Sequence, residues 1–354
     1  MTRLQHVSVL KARSVRQVDL RWSEANVWAV SDPVVRVSVV VPTHDRVERM
    51  VRLLNALAVQ DIGELFEVVV ADDRSGDDTV DRLRARPPAP AFRLVILPSE
   101  VNTGPAGARN RGWRSARGEL IAFVDDDCVP DPGWLANLVA GLDAADIAVG
   151  RTRPPDDQLH LIGPFSSYLD IGHNRTFSTC NIAYRRPVLQ ELGGFDAATF
   201  VWPNGEDTDL GLRSVKAGFR DRYVPEALVW HDVVPSDFRP HLRRMRRLEG
   251  IVALVSRHPE ARGNLGGGVF LRSVDKAVLL AWAAALGLLL RPRRATRACA
   301  VVAGVLYVWQ FDRAHYRARS RGEWATAVPL GFVADSWAVM IMIRSSARHR
   351  TLLL

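Results

Sequence analysis

The sequence predicts an α/β fold, with a mostly parallel central sheet flanked by helices and followed by a helical C-terminal extension. Three observations carry this prediction. Short apolar runs alternate with segments of helical spacing before residue 128, polar clusters follow these runs, and the composition changes near residue 239. Such alternation is typical of sheets that are built with right-handed crossovers.

The composition is that of a folded protein with two electrostatically different parts. Of the 354 residues, 47% are hydrophobic and 24% are charged, which excludes wholesale disorder. Residues 239–354 contain 20 Lys and Arg against 6 Asp and Glu, whereas residues 1–238 contain 27 against 33. We therefore expect a lead-in at 1–35, an α/β domain at 36–238 and a helical region at 239–354 that meets different partners.

The cysteines indicate the compartment. Cys128, Cys180 and Cys299 are widely spaced and odd in number. They show neither the CxxC spacing of a zinc site nor a disulfide framework. Free cysteines are typical of a reducing environment, so we expect a cytoplasmic protein.

The elements of the α/β domain can be placed in order. Apolar runs rich in β-branched residues predict strands at 35–41, 66–71, 92–98 and within 120–127. Helical spacing predicts helices at 47–58 and 77–85, and NTGPAGARNRGWRSA (102–116) changes from a Gly-rich loop into a helix. Beyond residue 146, ADIAVGRT predicts another strand, and the following segment up to Phe177 is expected to be irregular.

Polar clusters follow the predicted strands. They are Thr43 with Asp45, Asp72 with Asp73, the stretch 102–110, and the acidic triplet Asp125, Asp126 and Asp127. In open α/β sheets, ligands bind outside the carboxyl ends of the strands. Because all of these clusters fall at strand ends, we expect one binding site at that edge.

The acidic triplet offers hard oxygen ligands, which suit Mg²⁺ or Mn²⁺. Alternate residues of an extended chain point the same way, so Asp125 and Asp127 would face one site and Asp126 would face elsewhere. The alternative is an acidic turn or a cap of the helix that opens near Asp131. The triplet by itself does not decide between these interpretations.

Two further clusters have a binding and a structural interpretation. In ADDRSGDDT, short acidic side chains could hold a ribose or a base edge, or they could cap the next helix. In NTGPAGARNRG, Gly104 permits close backbone approach and Arg109 adds a cation, which suits a phosphate. The alternative for this second cluster is a tight loop that starts a helix.

Acidic residues precede a further amphipathic helix. Glu206, Asp207 and Asp209 stand before Leu210, where carboxylates gain from the helix dipole and could act as caps. The functional interpretation is a general base. His231 ends the apolar run of VPEALVWHDV, and a lone histidine there is either structural or a metal ligand.

Taken in order, VSVVVPTHDR, VVVADDRSGDDT, NTGPAGARNRG, LIAFVDDD, GGFD…GEDTDLGLR and WHDV resemble the family 2 glycosyltransferases over residues 35–235. The resemblance implies the GT-A fold. It also implies inverting transfer from a nucleoside diphosphate sugar, of the hexosyltransferase type, with Mg²⁺ or Mn²⁺ as cofactor. It lends little beyond residue 239.

The resemblance also implies roles for residues. Asp207 would be the general base, with Glu206 as its catalytic neighbour, and the metal ligands would be Asp127, Asp125 and His231. Two departures are noted: His44–Asp45 replaces the commoner Tyr/Phe–Asn, and Asp126 makes the DxD register ambiguous. The nucleotide-sugar site would comprise Pro42, Thr43, Asp45, Asp72, Asp73, Asn102, Gly104, Arg109, Asp125 and Asp126.

The C-terminal region carries apolar stretches at 277–290, 298–309 and 325–343. The first two are short of the roughly 20 residues that cross a bilayer, and the third contains Pro329 and Asp335. One interpretation is a helical bundle or a homodimer interface. The other, which we favour, is peripheral contact with the inner face of the cell membrane. Anionic headgroups would then meet the arginines at 243–247 together with Arg291, Arg293, Arg294 and Arg297.

Other functions are weighed against glycosyl transfer. A nucleotidyltransferase would carry a Gly-rich, basic phosphate loop after the first strand, where this chain has PTHDR. A non-catalytic sugar-nucleotide or carbohydrate-binding module would not need the complete acidic set. Nucleic-acid binding is not expected, because no recognition motif accompanies the basic segment. The acceptor is expected to be a hydroxyl of a glycolipid, polysaccharide or other envelope compound, or of a secondary metabolite.

Overall fold

A computed structural model describes residues 35–85, 89–173, 175–264, 269–315 and 321–354. The lead-in expected at 1–35 therefore lies almost wholly outside the described residues. Eight strands of the described chain form one sheet: β1 (Val37–Thr43), β2 (Phe66–Asp72), β3 (Phe92–Leu97), β4 (Leu120–Phe123), β5 (Cys128–Pro130), β6 (Ile147–Arg153), β7 (Ile182–Arg185) and β8 (Asp221–His231).

The sheet has the order β3-β2-β1-β4-β7-β6-β8-β5. Strands β1 to β4 pair only in parallel with one another, as the sequence predicts. Strand β7 runs antiparallel to both β4 and β6, and β5 runs antiparallel to β8, so the sheet is mixed. Four of its seven strand pairs are parallel, and the predicted α/β class is confirmed.

Helices cover both faces of this sheet. In β1, Val39 and Val41 pack into the core that is covered by α1 (Val47–Leu57), α2 (Thr79–Arg84) and α4 (Trp134–Leu142). Val40 points to the opposite core, which α3 (Gly104–Ser115), α5 (Arg186–Leu192) and α6 (Glu206–Lys216) cover. Burial on both faces explains why β1 and β2 lack an alternating polar pattern.

The remaining segments follow the predictions closely. The irregular stretch contains a 3-10 helix at Asp156–Leu161, and an isolated bridge joins Ser167 to Val234. The basic segment forms α7 (Phe238–Arg244) and a 3-10 turn at Met245–Arg247. The apolar stretches lie in α9 (Ser273–Leu290), α10 (Arg294–His315) and α11 (Arg321–His349), which α8 (Leu248–Arg257) precedes.

The C-terminal helices pack on one another around buried charges. Arg272 donates to Asp335 over 2.8 Å and is also paired with Asp275, while the Tyr307 hydroxyl donates to Asp335 over 3.0 Å. These bonds connect the start of α9 with the middle of α10 and α11. Because each buried charge has a partner, the bundle can hold them without an isolated ion.

Candidate active site

The strand ends meet at a cleft of about 830 Å³. The loops after β1, β2 and β4 line it, as does the start of α3, because β1 to β4 are parallel and end at the same edge. The predicted site residues in its wall are Pro42, Thr43, Asp45, Asp73, Asn102, Gly104, Arg109, Asp125, Asp126, Asp127 and His231. The other three, Asp72, Glu206 and Asp207, lie outside that lining.

His231 reaches the cleft through a strand pairing that the sequence did not predict. Strand β5 directly follows the acidic triplet and pairs antiparallel with β8, which places Cys128 opposite His231. The histidine Nε2 consequently lies 3.4 Å from Oδ1 of Asp127. Two residues that are distant in sequence thus become neighbours.

Asp126 faces the protein. Its side chain is buried, and its two oxygens accept bonds from the Thr43 hydroxyl over 2.8 Å and from Arg46 over 2.7 Å. Burial raises its pKa to about 6, although Arg46 acts in the opposite direction. Asp126 therefore links the loop after β4 to the loop after β1, whereas Asp125 and Asp127 keep more of their side chains exposed.

Asp127 is the centre of a group that could hold a cation. Its ligand oxygen, the Cys128 sulfur and a His231 ring nitrogen all lie within 4.8 Å of one another. Burial raises the pKa of the Cys128 thiol, and a soft sulfur is in any case a poor match for the hard ions Mg²⁺ and Mn²⁺. The carboxylate oxygen and the imidazole nitrogen remain, and both are donors that Mn²⁺ accepts.

The histidine is oriented for such a role. Its Nδ1 lies 2.9 Å from the carbonyl oxygen of Asp232, and that oxygen can only accept, so Nδ1 carries the proton. With Nδ1 as the donor, Nε2 is the ring nitrogen that is directed towards Asp127 and could serve as a ligand. Two acceptors that face each other at 3.4 Å need a cation or a proton between them, so the residues present fit a divalent ion.

Arg109 joins the acidic triplet to the acidic pair of α6. It is buried, and it donates to Asp125 over 2.7 Å and to Glu206 over 3.1 Å. The sequence suggested a phosphate contact for this cation. In the structure it bonds Asp125 in the cleft wall and Glu206 behind it, and its charge reduces the repulsion within the triplet.

Glu206 and Asp207 differ in whether their carboxylate oxygens are free to accept a proton. Glu206 is buried, and both of its oxygens are held, one by Arg109 and the other by the backbone N–H of Asn204. Asp207 accepts a backbone bond from Thr208 over 2.7 Å and is partly accessible. Burial, together with the nearby Glu206 charge, raises the pKa of Asp207 to about 7. That value suits a general base at neutral pH.

The acidic residues after β1 and β2 hold the loops around the cleft. Asp73 accepts from the backbone N–H groups of Thr103 and Gly104, over 2.9 and 2.8 Å, at the start of α3. Asp45 accepts from the N–H of Gly76 over 2.6 Å, and this bond lowers its pKa. Asp73 thus holds the start of α3 and Asp45 holds the loop before α2, and neither is the cap of α2 that the sequence left open. Asp72 differs, because it is buried and its Oδ1 has no hydrogen-bond partner.

The backbone at Asp45 explains one departure from the family pattern. Its φ of 53° lies in the left-handed region. Asn and Asp enter that region more readily than other non-glycine residues, because their short polar side chains bond locally. The exchange of the commoner Asn for Asp45 therefore preserves the loop conformation.

Four arginines lie in the cleft that the sequence did not place there. Arg46 and Arg49 come from the start of α1, and Arg49 lies 3.3 Å from Asp127. Arg244 and Arg247 come from the basic segment that we expected to meet lipid headgroups. In the structure these two side chains line the cleft, a position that the sequence did not indicate. Arg46 immediately precedes α1 and Arg49 lies in its first turn, and this placement after the first strand could have indicated the first pair.

Comparison with known proteins identifies a family. Residues 38–200 match the model described as glycosyl transferase family 2, and residues 120–312 match the model described as glycosyl transferase family group 2. A succinoglycan biosynthesis protein, ExoO, of Rhizobium meliloti is 40% identical over 64% of this chain and 67% of its own length. A pre-mycofactocin glycosyltransferase of Mycobacterium tuberculosis is 29% identical over 70% of this chain.

The chain spans about half the length of the mycobacterial relative, of which 52% is covered. Among solved structures, a mannosyltransferase of Pyrobaculum calidifontis, in complex with GDP-Man and Mn²⁺, has a TM-score of 0.53 at 20% identity. The match covers 89% of this chain and 87% of that protein. It shows a shared GT-A-like fold, and at this identity it shows the fold alone.

Proposed function

The chain belongs to the family 2 glycosyltransferases, and on that premise we propose that it moves a sugar from a nucleoside diphosphate sugar to an acceptor hydroxyl. The observation that carries the proposal is the bridge of Arg109 between Asp125 and Glu206. This bridge fixes the acidic triplet, where the cation would bind, relative to α6, the helix that carries the proposed base. The donor and the base would therefore be positioned together.

The cleft is suited to a diphosphate. Arg46, Arg49, Arg244 and Arg247 line it together with the carboxylates of the triplet. We propose that Asp127 and His231, with Asp125, hold Mg²⁺ or Mn²⁺. When bound, the ion would stabilise the negative charge that develops on the leaving diphosphate. The neighbouring arginines would share that task, since preorganised cations act strongly where water is excluded.

The acceptor side requires one base. If the hydroxyl attacks the face of the sugar opposite the diphosphate, the configuration inverts and no enzyme nucleophile is needed. Asp207 would remove the hydroxyl proton, while Glu206 keeps the base in place through its bond to the buried Arg109. An ionised Asp207 is available at neutral pH because its pKa is about 7.

The names of relatives support parts of this proposal. The Pyrobaculum mannosyltransferase binds GDP-Man and Mn²⁺, and ExoO serves succinoglycan biosynthesis. For this chain we propose a hydroxyl acceptor of the envelope or secondary-metabolite kind. Three free cysteines in the described residues favour the cytoplasm, where the reaction is proposed to take place.

A non-catalytic binding module would need the cleft but not the base. To separate the two, UDP-, GDP- and dTDP-sugars are first screened by thermal shift with Mn²⁺. The donor found is then incubated with the protein or with Asp207→Asn, and release of the nucleoside diphosphate is followed. We expect both proteins to bind the donor and only the wild type to turn it over when an acceptor is present. Binding without turnover by the wild type, across a panel of acceptors, would favour the module.

A further inference from the structure

Each of the helices α9, α10 and α11 exposes large apolar side chains, which together we call the apolar face. It comprises the end of α9, the outer side of α10 and one stripe of α11. On α9, Leu289 and Leu290 are 81% and 69% exposed, and on α10, Val301 and Val305 are 67% and 63% exposed. Monomeric soluble proteins rarely show large contiguous apolar surfaces, and such surfaces mark interaction sites.

The stripe on α11 follows a helical period. Leu330, Val333, Trp337 and Met340 are all exposed, and they are three, four and three residues apart. Residues at this spacing share one helix face. The opposite side of α11 contributes buried residues such as Val339 and Met342 to the core of the C-terminal bundle. The exposed stripe therefore does not contribute to the core of the bundle.

The turn between α9 and α10 is strongly basic. Arg291, Arg293, Arg294 and Arg297 are exposed beside the exposed leucines of α9. Within the described part of the chain, none of the four lies within ion-pair distance of a carboxylate, and Arg244 and Arg247 lie apart from them in the cleft. Adjacent apolar and cationic side chains complement an anionic lipid surface, with its acyl chains beneath negative headgroups.

We propose that the apolar face and this basic turn dock on an anionic bilayer, with α9 and α10 lying in its interfacial zone. By length and composition alone, Ser273–Leu290 and Gly322–His349 could cross a membrane. However, the apolar part of α9 at 277–290 is only about 21 Å long at the usual helical rise, against a hydrocarbon core of about 30 Å.

Two features of the other helices agree with a shallow position. In α10, the apolar run ends at Asp312 and Arg313, and at its other end it begins beside Arg297. In α11, Asp335 lies mid-helix and is bound to Arg272 and Tyr307. A shallow helix pair can keep its arginines at the headgroups, whereas a crossing pair would carry the basic turn through the hydrocarbon.

Cys299 provides a probe for this docking. It is exposed at the start of α10, whereas Cys128 and Cys180 are buried, so a polarity-sensitive thiol dye should label the native chain there. We expect a blue shift of the dye and co-sedimentation of the full chain with phosphatidylglycerol vesicles, both reduced by salt. Neutral phosphatidylcholine vesicles should bind much less protein.

Matched variants separate charge from apolar contact. The triple variant Arg291→Glu/Arg293→Glu/Arg294→Glu should lower partitioning by at least about 100-fold, since each surface arginine contributes about fivefold. Leu289→Ser/Leu290→Ser should abolish the dye shift. The controls are Arg84→Glu/Arg222→Glu and Val59→Ser/Val101→Ser, which alter exposed side chains of the α/β domain and should bind as the wild type does.

Three results would overturn docking on a membrane, and a fourth would overturn its interfacial depth. The first is a wild type that stays unbound with anionic vesicles at low salt, and the second is unchanged binding by the turn variant. The third is concentration-dependent self-association, without vesicles, that protects Cys299 from the dye. That result would show that the apolar face binds a second copy of the chain. Protection of the dye from quenchers added to both sides of the bilayer would argue against an interfacial depth. None of these readouts depends on sugar transfer.

Discussion

Nε2 of His258 lies 2.9 Å from Oδ1 of Asp209, and both side chains are buried. Arg213 and Arg257 also donate to this carboxylate, over 2.8 and 3.0 Å. Burial alone would raise the pKa of Asp209, but these donors, His258 first, outweigh it and hold the pKa below its usual value. The contact ties α8 to α6, the helix that begins with Glu206 and Asp207.

Asp209→Asn should therefore destabilise the whole chain. A neutral amide would weaken the bonds that the buried carboxylate accepts from Arg213, Arg257 and His258, and a lost bond to a charged group costs about 1.5–3 kcal/mol. The loss in the free energy of unfolding, measured with urea, should be largest at neutral pH. Because the folded pKa lies below the unfolded value of 3.8, the difference from the wild type should fade as the pH falls below 3.8. Asp81→Asn, exposed on α2, is the control, and equal stability of the two variants would refute the role.

Gly250 makes a second contact between α8 and the acidic pair. A methyl group at this position would lie 1.9 Å from the carbonyl oxygen of Asn204, whose backbone N–H binds Glu206. We expect Gly250→Ala to shift this loop and to lower kcat more than donor affinity. Gly304→Ala, where an added Cβ meets nothing within 4 Å, should leave activity unchanged. If Gly250→Ala keeps full turnover, the loop does not position the base.

The sequence could predict the binding edge but not all of its occupants. Strands β1 to β4 are local apolar runs, and their parallel order brings their carboxyl ends together, so Thr43, Asp73 and the acidic triplet were foreseeable. The resemblance did point to His231, but its place beside Asp127 depends on the pairing of β5 with β8, and that of Arg247 depends on the packing of the C-terminal helices. These are long-range contacts, and the local hydrophobic periodicity of the sequence does not indicate them. The roles of the individual site residues stay predictions.

Arg247 provides a test of the C-terminal contribution to the cleft. If it binds the diphosphate, Arg247→Ala should weaken donor affinity by roughly 10- to 100-fold, the range expected for lost bonds to a charged group. The remaining affinity should depend less on salt. Arg243→Ala is the matched control, because Arg243 is exposed on α7 outside the cleft lining. Isothermal titration with the donor and Mn²⁺ gives the answer, and equal affinities of the two variants would contradict the assignment.

His231 in β8 and Cys128 in β5 lie opposite each other, and we predict that only His231 is a metal ligand. His231→Ala should weaken Mn²⁺ binding on the order of 10- to 100-fold or more, since loss of outer-shell partners already has that effect. Cys128→Ser should bind Mn²⁺ as the wild type does, because a buried, soft sulfur is a poor ligand for this hard ion. Electron paramagnetic resonance of free Mn²⁺ measures both. The reverse ranking would make the thiol, and not the imidazole, a ligand.

Asp207 should control the pH dependence of transfer. Asp207→Asn is expected to lower kcat by about 10²–10⁴ and to leave donor binding intact. Because burial and Glu206 raise its pKa to about 7, the ionised base accumulates, and kcat climbs, as the pH rises through 7. Because the folded pKa of about 7 lies above the unfolded value of 3.8, the free energy of unfolding falls as the pH rises from 3.8 to about 7. Asp207→Asn lacks this carboxyl, so its stability should fall less over the same range. A flat kcat profile, or donor affinity falling as far as turnover, would exclude Asp207 as the base.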